Sequence, residues 1–230
     1  MEAKTVLTEQ LRTNKKVLTL SSKGSDLISM YEDMVENGYE RLTESRQHQV
    51  YGDFELKLIK KTVKDIFDRF SIKTVLDYGS GGCNWSNLGF DESGISAIQY
   101  FGLDHVQYYE PTRRIDERGK VDCVISFDVL EHVFVSDVPK VLYDMFSYAK
   151  KLIVLNVACY KAKALLPNGE NAHITVRHPH WWKGMVDSCS VDFPDLQVLL
   201  LTSLDRGQAH QFPIFSDRAR HEDQRFNISY

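Results

Sequence analysis

The chain of 230 residues has only four cysteines, Cys83, Cys123, Cys159 and Cys189, and none sits in a C-x-x-C pair. That excludes a disulfide frame and a cysteine zinc site and reads as thiols in a reducing compartment. There is no apolar run of membrane-spanning length and no signal-peptide core at the amino terminus, so a cytoplasmic location is expected. There is no basic surplus. A formal net charge of -4 gives no electrostatic case for wrapping nucleic acid, although a local basic patch stays open. Repeats and low-complexity segments are also missing. What is present is ordinary for a globular chain, 43% hydrophobic and 26% charged, and long enough for one α/β domain with an appendage.

The stretch with most information is Thr74-Val75-Leu76-Asp77-Tyr78-Gly79-Ser80-Gly81-Gly82-Cys83. A short apolar run ends in a carboxylate and enters a glycine turn, the pattern of a buried parallel strand reaching the carboxyl edge of a sheet. Ligands of open α/β sheets bind at that edge. Asp77 can accept hydrogen bonds from a ligand amine or from the amides of the loop. The dinucleotide fingerprint G-x-G-x-x-G fails, because its third glycine would be Asn84. The pattern D/E-x-G-x-G-x-G of S-adenosylmethionine (SAM) enzymes is met by Asp77, Gly79 and Gly81, with Cys83 in place of the last glycine. An ordinary Gly-Ser turn is the plainer alternative.

Helical spacing over residues 25–46 predicts a lid or cap helix, with Ser25 as its cap. Residues 1–24 read as a mobile or weakly helical lead. Residues 54–70 predict a second helix with one broad apolar face. Strands are expected at 74–78, 106–109, 122–127, 152–157 and 197–204, and a last one around 212–215. Residues 84–94 read as an inserted loop, 95–101 as a short helix, and 111–120 as a compressed segment where a helix and a strand would ordinarily lie. A helix over 138–150, capped by Asp137, and another over 179–186 complete the alternation. It argues a mostly parallel, doubly wound α/β sheet. Two units are expected: a lead and helical cap over 1–72, packed on a main domain over 73–230.

Glu110 ends the second strand, where an acid can accept both hydroxyls of an adenosine ribose; Asp104 competes for the role, and a surface glutamate before a turn proline is the plainer reading. After the fourth strand comes Phe127-Asp128-Val129-Leu130-Glu131-His132-Val133. With these motifs in order, the chain resembles class I SAM-dependent methyltransferases, in particular small-molecule enzymes with a V-L-E-H-V stretch after strand four. The matching parts span about residues 73–157, a little over a third of the chain. Cys83, the insertion after it and the compressed segment before Asp122 depart from the pattern. The resemblance implies a Rossmann-like sheet of seven strands with an antiparallel last hairpin. It implies SAM held by Asp77, Gly79, Ser80, Gly81, Glu110, Phe127 and Asp128, and methyl transfer to a small-molecule acceptor. A degenerate SAM-binding partner module and, less well supported, a nicotinamide-dependent oxidoreductase are the other readings.

The second half is similar to a subgroup carrying Leu166-Pro167-Asn168-Gly169-Glu170-Asn171-Ala172-His173-Ile174-Thr175-Val176 and then Trp181-Trp182. Its place after strand five is where such folds build the acceptor side. Asn171, His173, Trp181 and Trp182 are therefore the acceptor-side candidates, and His132, His173 and Asp128 the catalytic ones, with Glu131 a further carboxylate. An imidazole titrates close to neutral pH and suits a base. A purely structural role competes for both histidines, and packing for both tryptophans. His173, His178 and His180 are poorly spaced for a metal, and no metal site is expected.

Overall fold

Apolar runs and helical stripes sort the chain into alternating strands and helices. The computed structural model describes residues 18–41, 44–47, 52–205 and 208–214, with backbone alone for 44–47 and 208–214. The chain runs through α1 (Ser22–Asn37), β1 (Tyr39–Arg41), β2 (Glu44–Gln47), α2 (Phe54–Leu58) and α3 (Lys60–Arg69) to β3 (Thr74–Tyr78). Then follow α4 (Ala97–Phe101), β4 (His105–Glu110), β5 (Ile115–Asp116), β6 (Val121–Phe127), α5 (Val138–Tyr148), β7 (Ala149–Ala158), α6 (Pro179–Ser190), β8 (Gln197–Asp205) and β9 (Gln208–Ile214).

The sheet has the order β5-β4-β3-β6-β7-β8-β9. Its five inner strands are parallel, and β5 and β9 are antiparallel edges. This is a Rossmann-like, mostly parallel α/β sheet. Strand order reverses between β3 and β6, so the crevice at a switch point lies beyond the ends of those two strands.

Neighbouring strand residues feed opposite cores, as a period of two dictates. Leu76, Val124 and Ile153 pack under α5 and α6 with Leu142, Met145 and Trp182. Val75, Cys123, Ile125 and Val154 pack on the other face with Val63, Phe67 and Phe101. Residues 84–94, read from sequence as an inserted loop, send Trp85 and Phe90 into that second core. The only helix between β3 and β4 is the five-residue α4, opened by a Ser96–Gln99 capping box.

The compressed segment is real, and an arginine holds it. Only a 3-10 turn at Pro111–Arg113 and the two-residue β5 stand where a helix and a full strand were looked for. Arg118 donates to Asp116 at 2.8 Å and to Asp144 of α5 at 2.7 Å. Its guanidinium lies 4.2 Å from the Tyr109 ring centre, and the Tyr78 hydroxyl donates to the same Asp144 oxygen at 2.9 Å.

Three local expectations are corrected. The helix over 25–46 ends at Asn37, where Gly38 (φ 76°) leads into the β1–β2 hairpin. The helix over 54–70 is broken at Ile59 into α2 and α3. Asp137 makes no cap bond to α5. It accepts instead from the Ser21 N–H at 2.9 Å and the Ser21 hydroxyl at 2.6 Å, while Ser21, not Ser25, caps α1. The lead over residues 1–17 lies outside the described residues. Among the described residues no helix is long and apolar enough to cross a membrane.

The anchored α1 crosses the carboxyl edge of the sheet. It contacts the turn after β4, its Leu27 and Met34 pack with Ala164, Leu166 and Ala172 of the loop after β7, and β1 bridges to Ala164. Asp137→Ala is expected to leave the sheet folded while α1 exchanges its amide hydrogens at least tenfold faster, because charge-assisted bonds of roughly 1.5–3 kcal/mol each are lost. Unchanged protection of α1 in hydrogen exchange would remove Asp137 as its anchor.

Candidate functional site

Gly79 and Gly81 take φ of 85° and 56°, so the chain turns back at once after β3. The Gly79 and Ser80 amides donate to the Tyr109 carbonyl at 2.7 and 3.2 Å. A Cβ on Gly79 would lie 2.3 Å from a methyl of Val129, so the turn also needs glycine to admit the segment after β6. The Gly81 amide donates to Glu110 Oε2 at 2.7 Å. Glu110 Oε1 accepts the Thr112 amide at 3.1 Å and its hydroxyl at 2.7 Å. Glycine turn and carboxylate thus meet at the ends of adjacent parallel strands. Asp104 immediately precedes β4, at the opposite edge of the sheet, its amide bonded to the Lys73 carbonyl, and cannot share a site with the turn.

Asp77 is buried, and its carboxylate accepts the Trp85 indole N–H at 2.8 Å. Its partner is an indole from the inserted loop, which residue types alone did not reveal. Burial pushes its pKa up to about 7, against the indole bond that lowers it and with the Glu110 charge adding to the rise. A raised folded pKa contributes stability below the unfolded value and loses it as pH climbs through the folded one. Stability is therefore expected to fall between about pH 4 and pH 7 by on the order of 4 kcal/mol. In Asp77→Asn, whose amide oxygen still accepts from Trp85, this part of the slope should vanish. Parallel slopes in urea titrations at pH 4 to 8 would contradict it.

Beyond β6, Phe127 is half-buried and packs toward the α2–α4 core. Asp128 adopts φ 53°, donates its amide to the Asn156 carbonyl at 3.0 Å and accepts from the Asn156 side chain at 3.2 Å. This clamps the ends of β6 and β7 in a backbone region that Asp tolerates better than most residues. Glu131 is fully buried; Oε1 accepts the Ala158 amide at 2.8 Å and Oε2 has no partner. Burial, with the charges of Asp128 and Glu55 behind it, keeps its carboxyl protonated far above the ordinary range.

His132 and His173 come together, their rings perpendicular at 4.9 Å. His132 Nδ1 lies 2.9 Å from the Ala172 carbonyl and 3.1 Å from the Tyr31 hydroxyl, which itself donates to Ala172 at 2.6 Å. A carbonyl only accepts, so Nδ1 carries the proton. Burial, and the neighbouring His173, lower the His132 pKa to about 3. His173 Nδ1 is held by the Tyr160 carbonyl in the same way.

The remaining acceptor-side candidates have structural duties. The Asn171 oxygen accepts the Ala162 amide at 2.9 Å and the His173 amide at 3.1 Å, and its nitrogen donates to the Ala162 carbonyl at 2.8 Å. Its side chain builds the loop. Trp182 is buried in the core under α5 and α6, and Trp181 packs at the margin of that core. This is the packing role that competes with the acceptor-side reading of both tryptophans. His178 and His180 stack on each other at the start of α6, and His178 accepts the His180 amide. Among the described residues no group of three or more His, Cys, Asp or Glu could hold a metal ion. Tyr31 and Trp85 were not recognised as site residues from sequence, since nothing near either one marks its partner.

No known protein-family model matches this chain, and no curated protein matches it.

Proposed function

We propose that this chain is a class I SAM-dependent methyltransferase that moves a methyl group to a small-molecule acceptor by in-line displacement. The observation that carries the reading is the Gly81–Glu110 contact at the switch point of a doubly wound sheet. A carboxylate beside a glycine turn suits an adenosine ribose, since it accepts hydroxyl protons where no side chain blocks the sugar. The donor set fits the group. Glu110 already receives three internal donors, and a carboxylate offers about four acceptor positions. A ribose diol would take the open position and displace one internal donor.

Bound SAM supplies a methyl on a sulfonium, a carbon already activated toward displacement. The work left to the protein is alignment and exclusion of water. Gly79, Ser80, Gly81 and Glu110 would hold the nucleoside, and Asp77, Phe127 and Asp128 the crevice beside it. The α1 helix would cover that crevice. His132 and His173, fixed through Nδ1, would orient the nucleophile of the acceptor.

S-adenosylhomocysteine at 100 times its Kd should stabilise the fold by about 2.7 kcal/mol, read as a rise in melting temperature, whereas NAD should do nothing. Stabilisation by NAD alone would overturn the reading. A binding module without turnover is the second reading. It is favoured by the low His132 pKa, which makes that ring a hydrogen-bond acceptor and a poor base at neutral pH. Product formation from SAM separates the two.

A further inference from the structure

We propose that the Thr112 hydroxyl holds the place of a ribose hydroxyl on Glu110, so that this side chain sets how strongly the site prefers a ribose with both hydroxyls. The inference rests on the methyltransferase reading and names the internal donor that a ribose diol displaces. Among the described residues Glu110 receives three donors. Oε1 takes the Thr112 amide at 3.1 Å and the Thr112 hydroxyl at 2.7 Å. Oε2 takes only the Gly81 amide, at 2.7 Å. With about two lone pairs on each oxygen, Oε1 is full and Oε2 has one position open. One hydroxyl of a diol fits that position. The second needs one of the three donors to leave.

The donors differ in what their departure disturbs. The Gly81 amide belongs to a turn held on both sides, by the Gly79 and Ser80 amides on the Tyr109 carbonyl and by the Cys83 amide on the Ser80 carbonyl at 2.9 Å. The Thr112 amide belongs to the 3-10 turn that Glu110 itself caps, where Pro111 fixes φ and the Arg114 amide bonds the Pro111 carbonyl at 3.1 Å. Releasing either amide moves backbone. Releasing the hydroxyl takes one rotation about χ1 between staggered wells. Thr112 is half-buried, whereas Glu110 is only 7% exposed, so the turned hydroxyl finds water and leaves no unpaired group behind. An O–H donor at this distance is also the kind of partner that a ribose hydroxyl would be for a carboxylate. Glu110 is thus kept satisfied by the same chemistry that the ligand brings, and a diol must compete with it.

The test is calorimetric titration of wild type, Thr112→Val, Thr112→Ala and Thr112→Ser with S-adenosylhomocysteine and with its 2′-deoxy and 3′-deoxy forms. Valine keeps the branched shape and removes the competitor, alanine removes it with the least bulk, and serine keeps it. S-adenosylhomocysteine should bind about three- to tenfold tighter to Thr112→Val and to Thr112→Ala than to wild type, the size of one net hydrogen bond. Thr112→Ser should match wild type. Each deoxy form carries a single ribose hydroxyl, which takes the open position of Oε2 without displacing Thr112. Its affinity should therefore be the same for wild type and for the valine and alanine variants. Unchanged or weaker binding of S-adenosylhomocysteine by both of those variants overturns the proposal. So does an equal gain for all three ligands, since that would be an effect of packing and not of competition, and so does the same gain in Thr112→Ser. In each of these cases wild type still binds S-adenosylhomocysteine, and the methyltransferase reading stands. If the ligand binds neither wild type nor any variant, the ribose assignment of Glu110 has failed, and the proposal with it.

Discussion

Glu110→Ala is expected to weaken binding of S-adenosylhomocysteine roughly 100-fold or more, because two ribose hydroxyls lose charge-assisted acceptors worth roughly 1.5–3 kcal/mol each. Part of the loss would come from the loop, since Glu110 also holds the Gly81 and Thr112 amides. Glu110→Gln divides the two contributions. Its amide oxygen can keep one internal donor, but the charge is gone and its nitrogen repels the donors it faces. Calorimetric titration should therefore rank wild type above Gln and Gln above Ala. Asp104→Ala should bind as wild type does, because Asp104 lies at the amino end of β4. Equal affinity of wild type and Glu110→Ala would sink the ribose assignment.

The largest effect on stability is expected at Arg118. Its side chain and that of Asp144 are each only 5% exposed. Arg118→Ala would strand the Asp144 carboxylate in the core beside Tyr78, and breaking a buried pair from one side costs roughly 3–5 kcal/mol. The stacking on Tyr109 at 4.2 Å goes too. For a chain of this size the melting temperature should fall by about 10 °C. Arg118→Lys should rescue little, since an ammonium cannot fork between Asp116 and Asp144. Removing both charges, as in Arg118→Met with Asp144→Leu, should recover most of the loss because no buried charge is left alone. A drop of less than about 3 °C in the single alanine variant, read by scanning calorimetry, would show that the short 111–120 segment is held by other means.

The sheet and the glycine turn beside Glu110 were legible in the sequence because their signals are local. Val75 and Leu76 before Asp77, the Gly79–Gly81 turn, Tyr109 before Glu110 and the apolar run of β6 each lie within a few residues. A strand tip and a glycine turn need only neighbours to declare themselves. The boundaries of α1 were less legible. A helical stripe runs on past Asn37, whereas the chain turns at Gly38 into a hairpin that bridges to Ala164.

The sequence by itself determined the mostly parallel α/β sheet, the place of the turn at its carboxyl edge, and the residue types gathered there. Tertiary structure alone decided their states and partners. Ser21 meets Asp137 across 116 positions and Tyr31 meets Ala172 across 141, distances over which no periodicity carries information. Burial under α1 and the 162–174 loop makes His132 a neutral acceptor, and burial beside Trp85 brings Asp77 to the edge of protonation. The charge of a group depends on the dielectric and the charges around it in space, and these exist only once distant segments have closed over the site.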